Sequence, residues 1–287
     1  MRYIFFYFLT ILCYNGSSQS NATKKNILFG HTPERDLKLD IYLPDGSTNP
    51  YLILWIHGGA WHSGSKENPP LELLKKGYAL ASIDYRLTVE ARFPAQVYDI
   101  KAAVRYLRAN AATYGYHSDK IFIWGSSAGA HLAALAGVTN GYKELDGKIG
   151  DFLSTSSDLQ GIIDFFGPTD LTTILSQSTP HGISVRSPAL ALMFGKPVEQ
   201  IKEELQEASP VYHVTADDPP LFICHGDQDI QVPVNQSIEL YGKYRELNLP
   251  VQIEFAYGAG HGGKQYNDPL LIDKVDRFLK NIINNGK

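Results

Sequence analysis

The chain has 287 residues, 44% of them hydrophobic and 20% charged, with a formal net charge of −4. That balance supplies ample core for one large domain or two small ones. It offers nothing to nucleic acid: basic runs go no further than the pairs Lys24-Lys25 and Lys75-Lys76, which read as solvated surface.

The N-terminus reads as a leader rather than part of the fold. Met1-Arg2 gives a positive end, Tyr3–Tyr14 is almost wholly apolar, and small and polar residues follow from Asn15 to Ser20. This is the layout of a secretory signal peptide, with an apolar stretch too short to span a bilayer. The expectation is a cleaved leader over residues 1–20 and a secreted or periplasmic domain over residues 21–287 with no transmembrane segment. Cys13 is a poor lipid acceptor, because Leu12 stands where a small residue belongs. After cleavage Cys224 is the one remaining cysteine, so no internal disulfide is available; in the apolar run Leu221–Cys224 it is expected to be a buried, inert thiol. Asn21 and Asn235 each head a glycosylation-acceptor pattern.

Two antiparallel strands are expected first, near Lys25–Phe29 and Leu37–Leu43. In the second, Leu37, Leu39, Ile41 and Leu43 face one way and Lys38, Asp40 and Tyr42 the other. After Pro44-Asp45-Gly46, apolar strands alternate with amphipathic helices. The spacing predicts a strand at Tyr51–Ile56, a short helix at Leu71–Lys76, a strand at Tyr78–Ile83 and a long helix at Pro94–Ala111. A strand at Ile121–Trp124, a helix at Ala128–Gly137 and a strand at Gly161–Phe166 follow. The alternation resumes with a strand at Leu221–Cys224, a helix near Val234–Leu247, a strand at Val251–Phe255 and a helix at Leu270–Ile283. Such alternation implies a mostly parallel sheet, mixed at its antiparallel start, with helices on both faces. Between residues 170 and 210 the pattern lapses. Short helices at Leu190–Phe194 and Val198–Leu205 suggest a cap overhanging the carboxyl ends of the strands, where ligands bind in such sheets.

Three segments carry chemistry. Gly125-Ser126-Ser127-Ala128-Gly129 lies between a legible strand and a legible helix, the context a nucleophile elbow requires. A serine hydroxyl needs a base in reach, and the base an orienting acid. His261, in the glycine-rich run Gly258–Gly263 after the last strand, is the candidate base. His225-Gly226-Asp227-Gln228-Asp229 follows another strand and supplies two carboxylates; Asp229 is preferred as the acid, with Asp227 capping the turn beside Gly226. An oxyanion needs backbone donors. Ala128 comes with the elbow, and His57-Gly58-Gly59-Ala60-Trp61 follows a strand, which makes Gly58 and Gly59 the candidate partners and Ala60 a further one. His57 is assigned to positioning the loop. Trp61, with Ala60, either walls the acyl pocket or fills a core position. Asp84, Tyr85, Arg86 and Asp99 read as hydrogen-bonded structural groups, and His131 as helix packing. The remaining histidines, His225 among them, show no ligand spacing, so no metal and no cofactor is expected.

Taken together these residues resemble the α/β-hydrolase superfamily, and within it the hormone-sensitive-lipase-type and BD-FAE-like esterases. The shared runs include His57–Trp61 with Gly64-Ser65-Lys66, Asp84–Leu87, Phe93–Gln96 with Asp99, Gly125–Leu132, Ser209-Pro210, Asp218-Pro219-Pro220, the His225–Pro233 loop and Gly260-His261-Gly262. The oxyanion run ending Gly-Gly-Ala and Ser126 before the nucleophile fit the BD-FAE-like group better. The resemblance implies hydrolysis of carboxylic esters through an acyl-enzyme, on a small-molecule or oligosaccharide substrate such as an acetyl or feruloyl ester of plant polysaccharide. Rival expectations are an amide hydrolase on the same three residues, of arylformamidase or dipeptidyl-peptidase type, and a non-catalytic binding protein on the same scaffold.

Overall fold

A computed structural model describes residues 23–285; the leader expected over residues 1–20 lies outside them. Eight strands form one sheet: β1 (Lys24–His31), β2 (Asp36–Tyr42), β3 (Leu52–Ile56), β4 (Ala79–Ile83), β5 (Ile121–Ser126), β6 (Gly161–Phe165), β7 (Leu221–Gly226) and β8 (Val251–Ala256). Their order is β1-β2-β4-β3-β5-β6-β7-β8. β2 pairs antiparallel with both β1 and β4, and all other pairs are parallel. This is the mostly parallel mixed sheet that the alternation predicts.

The helices are α1 (Ala95–Ala109), α2 (Ala111–Tyr114), α3 (Ala128–Val138), α4 (Ile174–Gln177), α5 (Pro180–Phe194), α6 (Lys202–Glu207), α7 (Asn235–Glu246) and α8 (Pro269–Asn285). They cover both faces of the sheet. Leu52, Leu54, Ile56, Ile123 and Ile223 on one face pack with Val97 and Val104 of α1, Leu132 of α3 and Leu240 of α7. On the other, Ile53, Phe122, Trp124 and Phe222 pack with Val275, Phe278 and Leu279 of α8. Successive residues of one strand enter opposite cores because strand side chains alternate.

The structure departs from expectation in three places. Asp40 and Tyr42, on the β2 face opposite the leucines, are buried as well: Lys66 Nζ reaches Asp40 Oδ2 at 3.1 Å, and Tyr42 packs with Leu74 and Leu80. The expected helix over Leu71–Lys76 is only a 3₁₀ turn at Leu74–Lys76, ended by Gly77 at φ 93°. Between β6 and β7 the insertion holds not two short helices but α4, the fifteen-residue α5 and α6. Helix α5 starts from a capped end, with Thr179 Oγ1 accepting from Gly182 N at 3.1 Å and Pro180 in the first turn. Gly182 and Pro188 inside it mask the helical signal. Among the described residues no helix is long and apolar enough to cross a membrane.

Candidate active site

Strand β5 ends at Ser126 and α3 begins at Ala128, so Ser127 alone makes the turn, at φ 53° and ψ −123°. Serine in that region is strained, and strain of this kind persists only where surroundings over-determine it. Here Ser127 N donates to Phe165 O at 2.9 Å, and Ser127 O accepts from His131 N at 3.0 Å. The turn closes only because its flanks lack side chains. A Cβ on Gly125 would lie 2.3 Å from the Gly129 carbonyl, and one on Gly129 would lie 2.1 Å from Ile56 O.

The structure brings Ser127, His261 and Asp229 together. Ser127 Oγ lies 2.7 Å from His261 Nε2, and His261 Nδ1 lies 2.7 Å from Asp229 Oδ2. The loops carrying acid and base are laced to each other. Gly258 N donates to Asp227 Oδ1 at 2.7 Å and Gln228 N to Ala259 O at 3.0 Å, so Asp227 holds the turn and Asp229 faces the imidazole. The edge of Phe166 packs against the His261 ring, with centroids 5.0 Å apart, and Tyr266 Oη donates to Gly260 O.

The Asp229 side chain is fully buried, and all of its acceptor capacity is engaged. Oδ1 accepts from Gln231 N at 2.8 Å and Val232 N at 3.0 Å. Oδ2 faces His261 and also His225, whose Nε2 is 3.3 Å away. Burial alone pushes this carboxyl up, but the bonds from His225 and His261 and from Val232 N outweigh it and hold its pKa well below the usual range. His225 is thus a second contact of the acid that sequence reasoning passed over. Its Nδ1 lies 2.7 Å from Ser237 Oγ, which fixes the ring. The available signal was its place at the end of β7, four residues before Asp229.

Gly58 backs onto Ser127: a Cβ there would lie 3.4 Å from Ser127 Cβ. Among the described residues, the backbone N–H groups of Gly58, Gly59 and Ala128 donate to no protein acceptor. The loop that presents the first two is contorted, with Gly59 at φ 112°, Ala60 at φ 49° and Trp61 at φ 63°. It is braced from beneath. His57 Nδ1 donates to Gly58 O at 2.7 Å, its ring stacks on Tyr85 at 4.3 Å, and burial depresses its pKa, keeping it neutral. Tyr85 Oη donates to His57 O at 3.0 Å, Lys66 N donates to Asp84 Oδ1 at 2.8 Å, and Arg86 chelates Asp99. His57 thus braces the loop together with Tyr85, and Asp84, Arg86 and Asp99 are hydrogen-bonded structural groups beside it.

Trp61 does not wall an open pocket. It is wholly buried, because its Nε1 donates to His131 Nδ1 at 3.0 Å on α3. His131 Nε2 in turn donates to Ala208 O at 2.6 Å, at the end of the insertion. Indole only donates, so this chain fixes the His131 tautomer and makes it more than helix packing. Burial lowers the His131 pKa from the ordinary 6.5 to about 4. Between those values the unfolded chain carries the proton and the folded chain does not, so acid favours unfolding. Stability from this group is full above about pH 6.5 and falls by roughly 3 kcal/mol toward pH 4. Urea unfolding of wild type and His131→Gln at pH 7 and 4.5 checks this. The variant loses less stability over that interval; equal losses would refute the assignment.

Beside the nucleophile lies an aromatic groove of about 470 Å³, lined among others by Trp55, Ser126, Phe166, Gly262 and Tyr266. Cys224 is fully buried and its thiol is pushed up to about 12, consistent with an inert group.

Known proteins resemble this chain in sequence and fold. Esterase LipC of Mycobacterium tuberculosis is 29% identical over 83% of this chain and 59% of its own length. The chain spans about half the length of the curated relatives it matches. Among solved structures, a truncated carbohydrate esterase from gut microbiota is 32% identical, covering 92% of this chain and 98% of that one at a TM-score of 0.82. Esterase 2 of Thermogutta terrifontis with propionate bound is 26% identical over 90% and 94%, at a TM-score of 0.74. The BD-FAE family model matches residues 39–244, from β2 through the serine turn and the Asp229 loop to α7, and the chain is an α/β-hydrolase belonging to the BD-FAE family.

Proposed function

We propose that the protein is a serine carboxylesterase. His261 Nε2 takes the Ser127 Oγ proton as the oxygen attacks the ester carbonyl. The oxyanion that forms is held by the N–H groups of Gly58, Gly59 and Ala128. Collapse breaks the ester C–O bond, and His261 returns its proton to the leaving alcohol. Water, deprotonated by His261, then attacks the acyl-serine and releases the acid. Asp229 holds the proton on Nδ1 throughout and stabilises the imidazolium. The observation that carries this reading is the unbroken Ser127–His261–Asp229 chain, two contacts of 2.7 Å, beside donors with no protein partner.

The substrate class we infer is an ester of a sugar or of an aromatic acid, such as an acetyl or feruloyl ester of a plant polysaccharide. Two observations support it: flat aromatic walls suit sugar and aryl faces, and the solved relative noted above is described as a carbohydrate esterase. Export by the Met1–Ser20 leader accords with such a substrate. The purified chain is expected to hydrolyse p-nitrophenyl acetate and methyl ferulate and to leave N-formylkynurenine and a chromogenic dipeptide amide intact. Turnover of the amides alone would overturn the esterase reading.

A further inference from the structure

The aromatic groove beside the nucleophile holds a carboxylate without a partner. Trp55, Trp124, Phe166 and Tyr266 are among its walls, and of its described lining residues Glu72 alone is charged. Glu72 Oε2 is enclosed, with no hydrogen-bond donor in reach among the described residues. Two lysines close to it in the chain are spent elsewhere: Lys66 Nζ on Asp40 and Glu67, and Lys76 Nζ on Asp273.

The rings stand at steep angles to one another. Trp55 meets Trp124 at 77° with centroids 4.9 Å apart, and Phe166 meets Tyr266 at 60° and 4.4 Å. The electron-rich face of an aromatic ring attracts a cation, and so does a carboxylate in a partly enclosed site. A neutral hydroxyl would use the hydrogen-bonding capacity of Glu72 and leave its charge unanswered. An organic ammonium group satisfies the charge and suits the rings as well. The groove, of about 470 Å³, has room for the alcohol part of a small ester.

Its place relative to the reacting atoms follows from its lining. Ser126 and Gly262 line it and are the chain neighbours of Ser127 and His261, and the Phe166 ring packs against the His261 imidazole with centroids 5.0 Å apart. In the esterase reading His261 returns the proton to the leaving alcohol, so the groove borders the alcohol side. Resting on that reading, we propose that the groove is a cation site, in which Glu72 and the neighbouring aromatic rings take an ammonium group carried by the alcohol part of the ester, as in an O-acylated amino sugar or amino alcohol. An ion pair joined to an aromatic contact at a half-open site corresponds to a preference of about tenfold.

The test compares acetylcholine with 3,3-dimethylbutyl acetate, which keeps the shape and puts carbon in place of the charged nitrogen. Wild type is expected to favour acetylcholine about tenfold or more in kcat/KM, mostly through KM. Glu72→Gln is expected to lower that ratio about fivefold, and Trp55→Leu about threefold. Choline is expected to inhibit p-nitrophenyl acetate hydrolysis competitively in wild type and more weakly in Glu72→Gln. Equal rates on the two acetates, or a faster neutral ester, would overturn the proposal, as would a preference that survives Glu72→Gln. Inhibition by methyl glucoside and not by choline would give the groove to neutral sugars and overturn it too. If p-nitrophenyl acetate is turned over and neither alkyl acetate is, choline inhibition decides, its absence counting against the cation site. If no ester is turned over, the esterase reading fails, and the cation site is decided separately: choline must shift the tryptophan fluorescence of wild type and not of Glu72→Gln. Glu72→Gln should fold as wild type does, since the enclosed oxygen it alters has no protein partner; Glu72→Ala takes its place if it does not.

Discussion

Replacing Ser127 with alanine is expected to lower kcat for ester hydrolysis by on the order of 10⁵-fold or more. The side chain removed is the one that faces His261 Nε2 at 2.7 Å, and no other described hydroxyl is bonded to that nitrogen. The turn itself survives the change. Its strained backbone is held by the bonds from Ser127 N to Phe165 O and from His131 N to Ser127 O, neither of which involves the side chain. Alanine and serine meet the same Cβ penalty at φ 53°, so the melting temperature should stay within a few degrees. The residual rate comes from the oxyanion donors, which are intact and still recognise a carbonyl attacked by water. Steady-state hydrolysis of p-nitrophenyl acetate measures the loss, with calorimetry confirming the fold. A well-folded Ser127→Ala protein retaining more than a hundredth of the wild-type kcat would show that another group attacks.

The second large effect is that of Asp229→Asn, expected to cost about 10⁴-fold in kcat. The reason lies in the occupancy of the two carboxylate oxygens. Oδ1 accepts from two backbone N–H groups, at Gln231 and Val232. An asparagine must place its carbonyl oxygen there, since its NH₂ would leave both donors opposed. The NH₂ then faces His261 Nδ1 and donates to it. That forces the ring proton onto Nε2, the nitrogen that must accept from Ser127, and the base becomes useless while the fold remains. At high pH the deficit does not recover, because the fault is one of tautomer and not of charge. A pH–rate profile of the variant alongside wild type separates the two: a parallel profile displaced downward is the expected result. A variant within tenfold of wild type would mean that Asp229 does not orient the imidazole.

These expectations rest on residues whose roles are local in the chain. Ser127, His57–Ala60, Asp229 and His261 each lie within five residues of a strand's end, so the sequence that makes the strand also announces the turn, and parallel strands bring their carboxyl ends to one edge. That is why three positions spread over more than a hundred residues were readable together. What sequence could not convey was contact across elements. Trp61 looks like a pocket wall beside a glycine pair, yet its indole N–H finds His131 one turn into α3 and the ring turns inward. His225 carries no motif of its own and acquires a role only because β7 ends where it can meet the Asp229 carboxylate. Arg186 lies in a helix that Pro188 and Gly182 conceal, and its enclosure depends on how the insertion folds back over the sheet. The burial of Asp40 is of the same kind: alternation along β2 sets it opposite Leu39 and Ile41, and Asn26 N and Lys66, the latter twenty-six residues later, bond it on that side.

The insertion between β6 and β7 is clamped at both roots. Thr169 N and Asp170 N donate to Gln236 Oε1, Leu171 N donates to Ser209 Oγ, and His131 grips Ala208 O. Bonds at both roots oppose a hinge at either end of the insertion. The insertion is pinned at its base, and the aromatic groove beside Ser126 is walled by other segments, Trp55, Phe166, Gly262 and Tyr266 among them. The rate at which molecules pass should accordingly track their shape and their solubility in bulk water, with no surge when they gather into droplets or at an oily boundary.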